Sequence, residues 1–197
     1  MHSRACGADE TVCNWVHHCR PELYEDSEFP TYEITEGAVA FRKKALEIAG
    51  SYVPYFFISH EGPDLALRLW DNGFKVIYSP RISVKHYHAA ENRTTWRRYY
   101  FDTRNLFWLV ARNLPFVYGF FLLSRGVSAM LLYSVRDGYL LYWLKGMRDG
   151  IRGLKQALED RKVISKQTMD IVKLIDENRP GFWYLAKKRL FKKGVRI

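Results

Sequence analysis

The stretch from Phe57 to His86 constrains this chain more than any other part, because it carries start and stop signals for several elements. Gly62-Pro63 predicts the start of a helix, since proline at the first helical position loses only an amide hydrogen that has no partner there. Gly73 predicts its end, where a left-handed residue is needed. The apolar stripe of this helix consists of Leu65, Ala66, Leu69 and Trp70. We therefore predict a loop, a short helix, a strand and a strand-end histidine.

Two acids, Glu61 and Asp64, flank the N-terminus of this predicted helix, where main-chain amides and the helix dipole favour negative groups. In the following predicted strand, Ile82, Val84 and His86 share one face, which places the histidine at the end of a buried row. Acids at this place commonly only cap a helix or orient a loop. Together with the histidine, they also form an arrangement that a transferase can use.

At these residues the sequence resembles the C-terminal half of an inverting family-2 glycosyltransferase of the GT-A fold. That family shows a Gly-Ala strand, a basic helix ending in Gly, an aromatic pair, Glu-Asp-x-Asp-Leu-x-Leu-Arg-Leu, a Gly-Tyr-x-x-x-Tyr-x-Pro turn and strand, and Val-x-His. The matching positions are Gly37-Ala38, Arg42 to Gly50, Phe56-Phe57, Glu61 with Asp64 to Leu69, Gly73 to Pro80 and Val84-Lys85-His86. The resemblance implies an α/β fold in which residues 35–105 form the C-terminal half of a GT-A sheet. Amphipathic α-helices would follow over residues 106–197, and an irregular segment would precede over residues 1–34.

The resemblance implies that a sugar moves from a nucleotide-sugar donor to a hydroxyl of a cell-surface glycan or glycolipid, with inversion. The usual general base of the family is the acid directly after the glutamate, and Gly62 stands there in this chain. Because a base must reach the acceptor hydroxyl and glycine cannot serve, Glu61 or Asp64 would take the role, with Glu61 favoured by its place in the loop. Both remain candidate catalytic residues.

The resemblance also implies a site for the donor diphosphate and its metal. His86 is the candidate ligand for Mg²⁺ or Mn²⁺. Gly37, Arg93, Trp96 and Arg97 are the candidates for contact with substrate or diphosphate, since guanidinium groups pair well with phosphate oxygens. A basic helix face lying against membrane head groups is an equally good interpretation of the segment after Glu91.

The nucleotide-binding half of such an enzyme has no counterpart in this sequence, and no Asp-x-Asp occurs in it. We therefore expect a truncated or split enzyme that is inactive alone, with the divalent metal bound only in the intact enzyme. The alternative is a non-catalytic membrane-binding or partner-binding module derived from such an enzyme. We also expect the isolated chain to associate or aggregate, because half a sheet exposes strand edges and an apolar face.

The net charge of +10 is concentrated near the C-terminus, where residues 181–197 contain six cations and no acid. Basic segments of this kind suit anionic membrane surfaces. Nucleic acid is disfavoured as a partner, because no nucleic-acid-binding motif accompanies the charge. We expect a cytoplasmic protein, peripheral on the inner face of the cell membrane.

Residues 106–144 are apolar and aromatic, but Arg112, Arg125 and Arg136 divide them into short uncharged pieces. Since a bilayer-spanning helix needs about 20 apolar residues, we predict no membrane span. Aromatic residues with interspersed arginines are typical of interfacial helices, although a soluble helical core is an alternative. Ser165 is the predicted cap of a last helix that carries Met169, Val172 and Ile175 on one face.

Cys6, Cys13 and Cys19 all lie in the first twenty residues, together with His2, His17 and His18. Their spacings are wider than those of common zinc sites, so a structural metal is only weakly indicated. Reduced thiols are the simpler interpretation.

Overall fold

The structure, a computed structural model, describes residues 28–34, 39–79, 81 and 96–177. Several predicted features lie outside these residues: the candidate site residues Gly37, His86 and Arg93, the three cysteines, and the basic segment 181–197.

The described residues form two short strands and seven α-helices. In chain order these are β1 (Phe29–Pro30), α1 (Lys43–Ala49), α2 (Glu61–Asp71), β2 (Ile77–Tyr78), α3 (Trp96–Asn113), α4 (Phe116–Arg136), α5 (Leu140–Arg152), α6 (Leu154–Glu159) and α7 (Lys166–Glu177). A single 3₁₀ turn, Pro54–Phe56, lies between α1 and α2.

The predicted α/β fold, the C-terminal half of a GT-A sheet, is wrong: the described part of the chain is mainly helical. Its sheet has two antiparallel strands, with Phe29 opposite Tyr78 and Pro30 opposite Ile77. The sequence also predicts strands over residues 34–41 and 74–78. The described positions of the first form no strand, and the second is reduced to β2. A strand needs a neighbour to satisfy its main-chain hydrogen bonds, and β2 finds one only in a two-residue segment.

The helix signals in the sequence are confirmed at α1, α2 and α7. Gly50 and Gly73 follow the first two helices with φ angles of 79° and 78°, a left-handed conformation that favours glycine. At α7, the hydroxyl of Ser165 accepts a hydrogen bond of 3.2 Å from the amide of Thr168, as a capping residue does. Three residues of its predicted apolar face are buried, namely Met169, Val172 and Ile175.

Helix α3 is the central element, because α2, α4, α5 and α6 all pack against it. Small residues allow the closest approach: a Cβ atom built on Gly146 of α5 would lie 2.6 Å from the main-chain oxygen of Tyr100. The corresponding distance on α4 is 2.6 Å, from Gly119 to Val110 Cγ1. The loop before α2 therefore rests on a helix that is itself packed on several sides.

Helix α4 runs without interruption for 21 residues through Arg125. Its mean hydropathy of 1.5 and its length make it a candidate membrane span by composition alone, and only 11% of that window is buried. The two uncharged pieces on either side of Arg125 thus belong to one continuous helix, and the outer pieces belong to α3 and α5.

Candidate functional site

The loop that leads into α2 has a strained backbone. Phe57, Ser59 and His60 have φ angles of 64°, 74° and 66°, although none of them is glycine. A side chain in this left-handed region costs of order 1–3 kcal/mol and persists only where its surroundings enforce it. Such residues concentrate at functional sites, so this loop is the first candidate for a site in the described part of the chain.

Asn105 of α3 enforces the conformation of the loop. Its side chain is fully buried, and Nδ2 donates to the main-chain oxygens of Phe56, Ile58 and Ser59 at 2.9, 2.7 and 2.7 Å. An amide has two N–H groups, so these three bonds share two hydrogens. One side chain thus satisfies three carbonyl groups of an irregular, half-buried segment.

Two neighbours of Asn105 add further contacts. Arg104 Nη2 donates to the main-chain oxygen of Phe56 at 2.9 Å, and its guanidinium lies over the Trp108 ring at 4.3 Å. Asp102 Oδ1 accepts 2.5 Å from the Ser59 hydroxyl, and its main-chain oxygen lies 3.2 Å from His60 Nε2. One face of α3 therefore holds the loop from Phe56 to His60.

Glu61 comes directly after this loop as the first residue of α2, and it is half-buried. Its side chain lies at a helix N-terminus, towards which the main-chain amides of the first turn point. The structure therefore holds one of the two candidate acids at the end of a rigid, strained loop.

Asp64, the second candidate acid, is fully buried and its two carboxylate oxygens are engaged within the fold. Oδ1 accepts 2.9 Å from Arg112 Nε and 2.7 Å from Asn113 Nδ2. Oδ2 accepts 3.0 Å from Arg68 Nε. Arg112 in turn donates to Asp160 Oδ2 at 2.9 Å. Asp64 thus joins α2 to α3, and an acceptor hydroxyl cannot approach it without opening this network.

Trp96 and Arg97 begin α3 near the same loop. The Trp96 ring stacks on Phe101 at a centroid distance of 6.4 Å, and Phe101 contacts the ring of Phe57 at 5.6 Å. Trp96 also stacks on Tyr142 of α5 at 4.9 Å. Arg97 is exposed, so its guanidinium is accessible to a ligand.

A second pair of acids lies beside the site. Burial raises the pKa of Glu33 to about 7, with His60 opposing the shift and Asp102 adding to it. Burial and the nearby charge of Glu33 raise the pKa of Asp176 to about 7. Asp176 accepts hydrogen bonds from the hydroxyls of Tyr32 and Tyr118, which connects the N-terminal segment to α7 and α4.

A metal site cannot be built from the described residues alone, since no group of three or more His, Cys, Asp or Glu side chains comes together among them. His86, the candidate ligand, lies outside those residues. The structure therefore places Glu61 at the end of the strained loop and Trp96 beside it through Phe101. The roles of His86, Arg93 and Gly37 stay predictions.

Sequence reasoning missed the parts played by Asp102, Asn105 and Arg112. Arg104-Asn105 and Arg112 stand out in the sequence only as polar residues within an apolar stretch. Their partners lie 42 to 49 residues away in the chain. A polar residue on the buried face of a predicted helix is the signal that could have indicated an internal partner.

No protein-family model, curated protein or solved structure shows a significant match to this chain.

Proposed function

We propose that this chain is the acceptor-side, membrane-associated portion of a glycosyltransferase that moves a sugar from a nucleotide-sugar donor to a hydroxyl of a glycan or lipid-linked acceptor. The observation that supports this most is the strained loop, clamped by Asn105, which holds Glu61 at the start of α2. Backbone strain of this kind concentrates at functional sites, and positioning a carboxylate is one function that it can serve.

Within this proposal the two acids have different roles. Glu61 removes the proton of the acceptor hydroxyl as that oxygen attacks the anomeric carbon, and the nucleoside diphosphate leaves from the opposite face, which gives inversion. Asp64 instead fixes the start of α2 through Arg112 and Asn113. Its burial makes it a positioning residue rather than a base.

The donor side of the reaction needs more than the described residues supply. Exposed Arg97 and half-buried Trp96 border the loop and would contact the diphosphate or the donor. A divalent metal, Mg²⁺ or Mn²⁺, would neutralise the leaving diphosphate when bound. Because the sequence contains no Asp-x-Asp, we expect transfer only with a second chain or domain that carries the nucleotide-binding half.

The test is a reconstituted transfer assay. The chain is mixed with lipid-linked acceptors in vesicles, a panel of nucleotide sugars, Mg²⁺ or Mn²⁺, and a second chain that carries a nucleotide-binding half. We expect transfer only when both chains are present, with a loss of at least about 100-fold in the Glu61→Gln variant, as for removal of a general base. Transfer that persists in this variant would overturn the role of Glu61.

A second candidate function is a non-catalytic binding module derived from such an enzyme. It is favoured by the engagement of both Asp64 and Asp102 in internal hydrogen bonds, which leaves few acids near the loop for chemistry. Absence of transfer with every donor, even with the nucleotide-binding chain present, would favour this alternative.

A further inference from the structure

Four apolar residues on the outer face of α4 form an exposed surface that we call the aromatic patch. Phe116, Val117, Phe120 and Phe121 are 82%, 67%, 56% and 67% exposed. Leu140, Leu141 and Leu144 of α5 are exposed as well. Clusters of exposed large apolar side chains on a folded protein mark a surface that a membrane or another molecule covers.

We propose that this chain docks on anionic membranes by inserting the aromatic patch into the lipid interface, with α4 lying in the interface instead of crossing the bilayer. The proposal does not depend on sugar transfer, since it concerns a different surface from the loop before α2. It holds equally for a catalytic portion and for a binding module.

The packing of α4 is the first argument against a span. Its inner face touches α3 closely, since Cβ atoms built on Gly119 and Gly126 would lie 2.6 Å from Val110 Cγ1 and 2.3 Å from Leu106 Cδ2. Trp143 Nε1 of α5 also donates to the main-chain oxygen of Val127 at 3.2 Å. To cross a bilayer, α4 would have to leave these partners or take α3 with it.

Helix α3 is poorly suited to enter the bilayer together with α4, because it carries a buried polar network. Asn105, Arg112 and Asn113 on this helix bond to the loop and to Asp64 of α2. Moving α3 into hydrocarbon would either break these bonds or bring α2 along. Arg125 adds a further penalty: it is exposed near the middle of α4, and a charge at the bilayer centre costs about 2.5–3.5 kcal/mol on insertion scales.

The charges around the apolar surface identify lipid as the occupant in preference to a second copy of the chain. Helix α4 contains two arginines and no acid, and Arg136 at its end pairs with Asp137 directly after the helix at 2.6 Å. Lys145, Arg148 and Arg152 are exposed on α5, and its one acid, Asp149, accepts from Tyr100 and Arg148. Two copies that met through this surface would bring like charges together, whereas anionic head groups complement them.

The spacing along α4 suits a shallow insertion. At 1.5 Å per residue, the patch extends about 8 Å along the helix, and Arg125 follows about 6 Å beyond Phe121. A slightly tilted helix can therefore bury the phenylalanines at the depth of about 5–10 Å typical of interfacial helices while the guanidinium stays among the head groups.

The experiment is flotation of the full chain with vesicles of phosphatidylcholine alone or with added phosphatidylglycerol, at low and at high salt. The test variant is Phe120→Ser with Phe121→Ser. The matched control is Ile48→Ser with Leu158→Ser, two residues that are 52% and 51% exposed on α1 and α6. Circular dichroism of each variant verifies that helical content is retained.

We expect binding to the anionic vesicles that salt weakens, a loss of at least tenfold in the phenylalanine variant, and no loss in the control. Alkaline carbonate should release the bound chain, as it does for proteins that do not span the bilayer. Equal losses of vesicle binding in the two variants would overturn the role of the aromatic patch. Equal binding to neutral and anionic vesicles would overturn the role of charge. Retention after carbonate would show a spanning helix, and a lipid-free dimer lost in the phenylalanine variant would show a second copy on the patch.

Discussion

The side-chain amide of Asn105 donates a hydrogen bond of 2.7 Å to the main-chain oxygen of Ser59, a residue that lies 46 positions earlier in the chain. This bond joins the middle of α3 to a loop whose backbone would not adopt its left-handed conformation without such support. Because Glu61 comes two residues later, the orientation of its carboxylate depends on a residue of another helix.

Asn105→Ala should destabilise the fold substantially. The substitution removes the Asn105 donor from the carbonyl oxygens of Ile58 and Ser59, whereas the Phe56 oxygen keeps its bond from Arg104. Each unsatisfied buried group costs about 1–3 kcal/mol. Part of that cost is recovered if water reaches the half-buried loop, so we expect a loss of about 2–4 kcal/mol, on the same scale. Urea denaturation measures it. The control is Asn72→Ala, which removes an exposed side-chain hydrogen bond to the main-chain oxygen of Arg68. A comparable loss of stability in that variant would contradict the role of Asn105 in holding the loop.

Asp64→Ala should be at least as damaging, for an electrostatic reason. It leaves the buried guanidinium of Arg112 without the carboxylate that receives its Nε hydrogen bond. Removing one partner of a buried ion pair costs about 3–5 kcal/mol. Asp170→Ala, which removes an exposed pair with Lys173 at 3.5 Å, should change stability by less than about 1 kcal/mol. Equal thermal midpoints for the two variants would refute the structural role of Asp64.

The sequence predicts a structural feature correctly where the residues that determine the feature are close together in the chain. The stop of α2 at Gly73 and the Ser165 cap are local signals, and both were predicted correctly. The start of α2 was predicted two residues late, because the helix begins at Glu61 and Pro63 is its third residue. The sheet was predicted wrongly, because a strand is defined by partners elsewhere in the chain, and β2 pairs with residues 29 and 30. The clamp and the Asp64 network join residues 46 to 49 positions apart, so no spacing pattern could indicate them.

The stability of the chain should decrease as pH rises through the range of the two elevated carboxyl pKa values. Glu33 and Asp176 titrate at 4.5 and 3.8 in the unfolded chain and at about 7 in the folded one. Between about pH 4 and 7 the folded state holds more protons than the unfolded state, so the free energy of unfolding falls with pH and levels off above 7.

The check is the difference in thermal midpoint between the natural chain and Asp176→Asn at several pH values. The asparagine removes one titrating group. The thermal midpoint of the variant should therefore rise relative to that of the natural chain as pH increases from about 5 to 7. Asp170→Asn, on an exposed carboxyl of the same helix, should show no such trend. A pH-independent difference for Asp176→Asn would contradict the raised pKa.

The isolated chain should associate in buffer without detergent, as the sequence also indicates, although for a different reason. The expected exposed sheet is not present in the described residues, and the aromatic patch on α4 takes its place as the adhesive surface. Size-exclusion chromatography should show heterogeneous aggregates without a discrete dimer, and Phe120→Ser with Phe121→Ser should reduce them. A monodisperse natural monomer with a cooperative thermal transition would contradict this prediction.

The proposed roles, in which Glu61 acts in the chemistry and Asp64 supports the loop, are compared most directly by pairing Glu61→Gln with Glu159→Gln. Both variants replace a glutamate by its amide, and Glu159 is exposed on α6. We expect Glu61→Gln to lower the rate of sugar transfer in the two-chain assay by at least about 100-fold. The thermal midpoint of this variant should stay close to that of the natural chain. Glu159→Gln should change neither quantity. If correctly folded Glu61→Gln transfers sugar at more than a tenth of the natural rate, the proposed role of Glu61 as general base is contradicted.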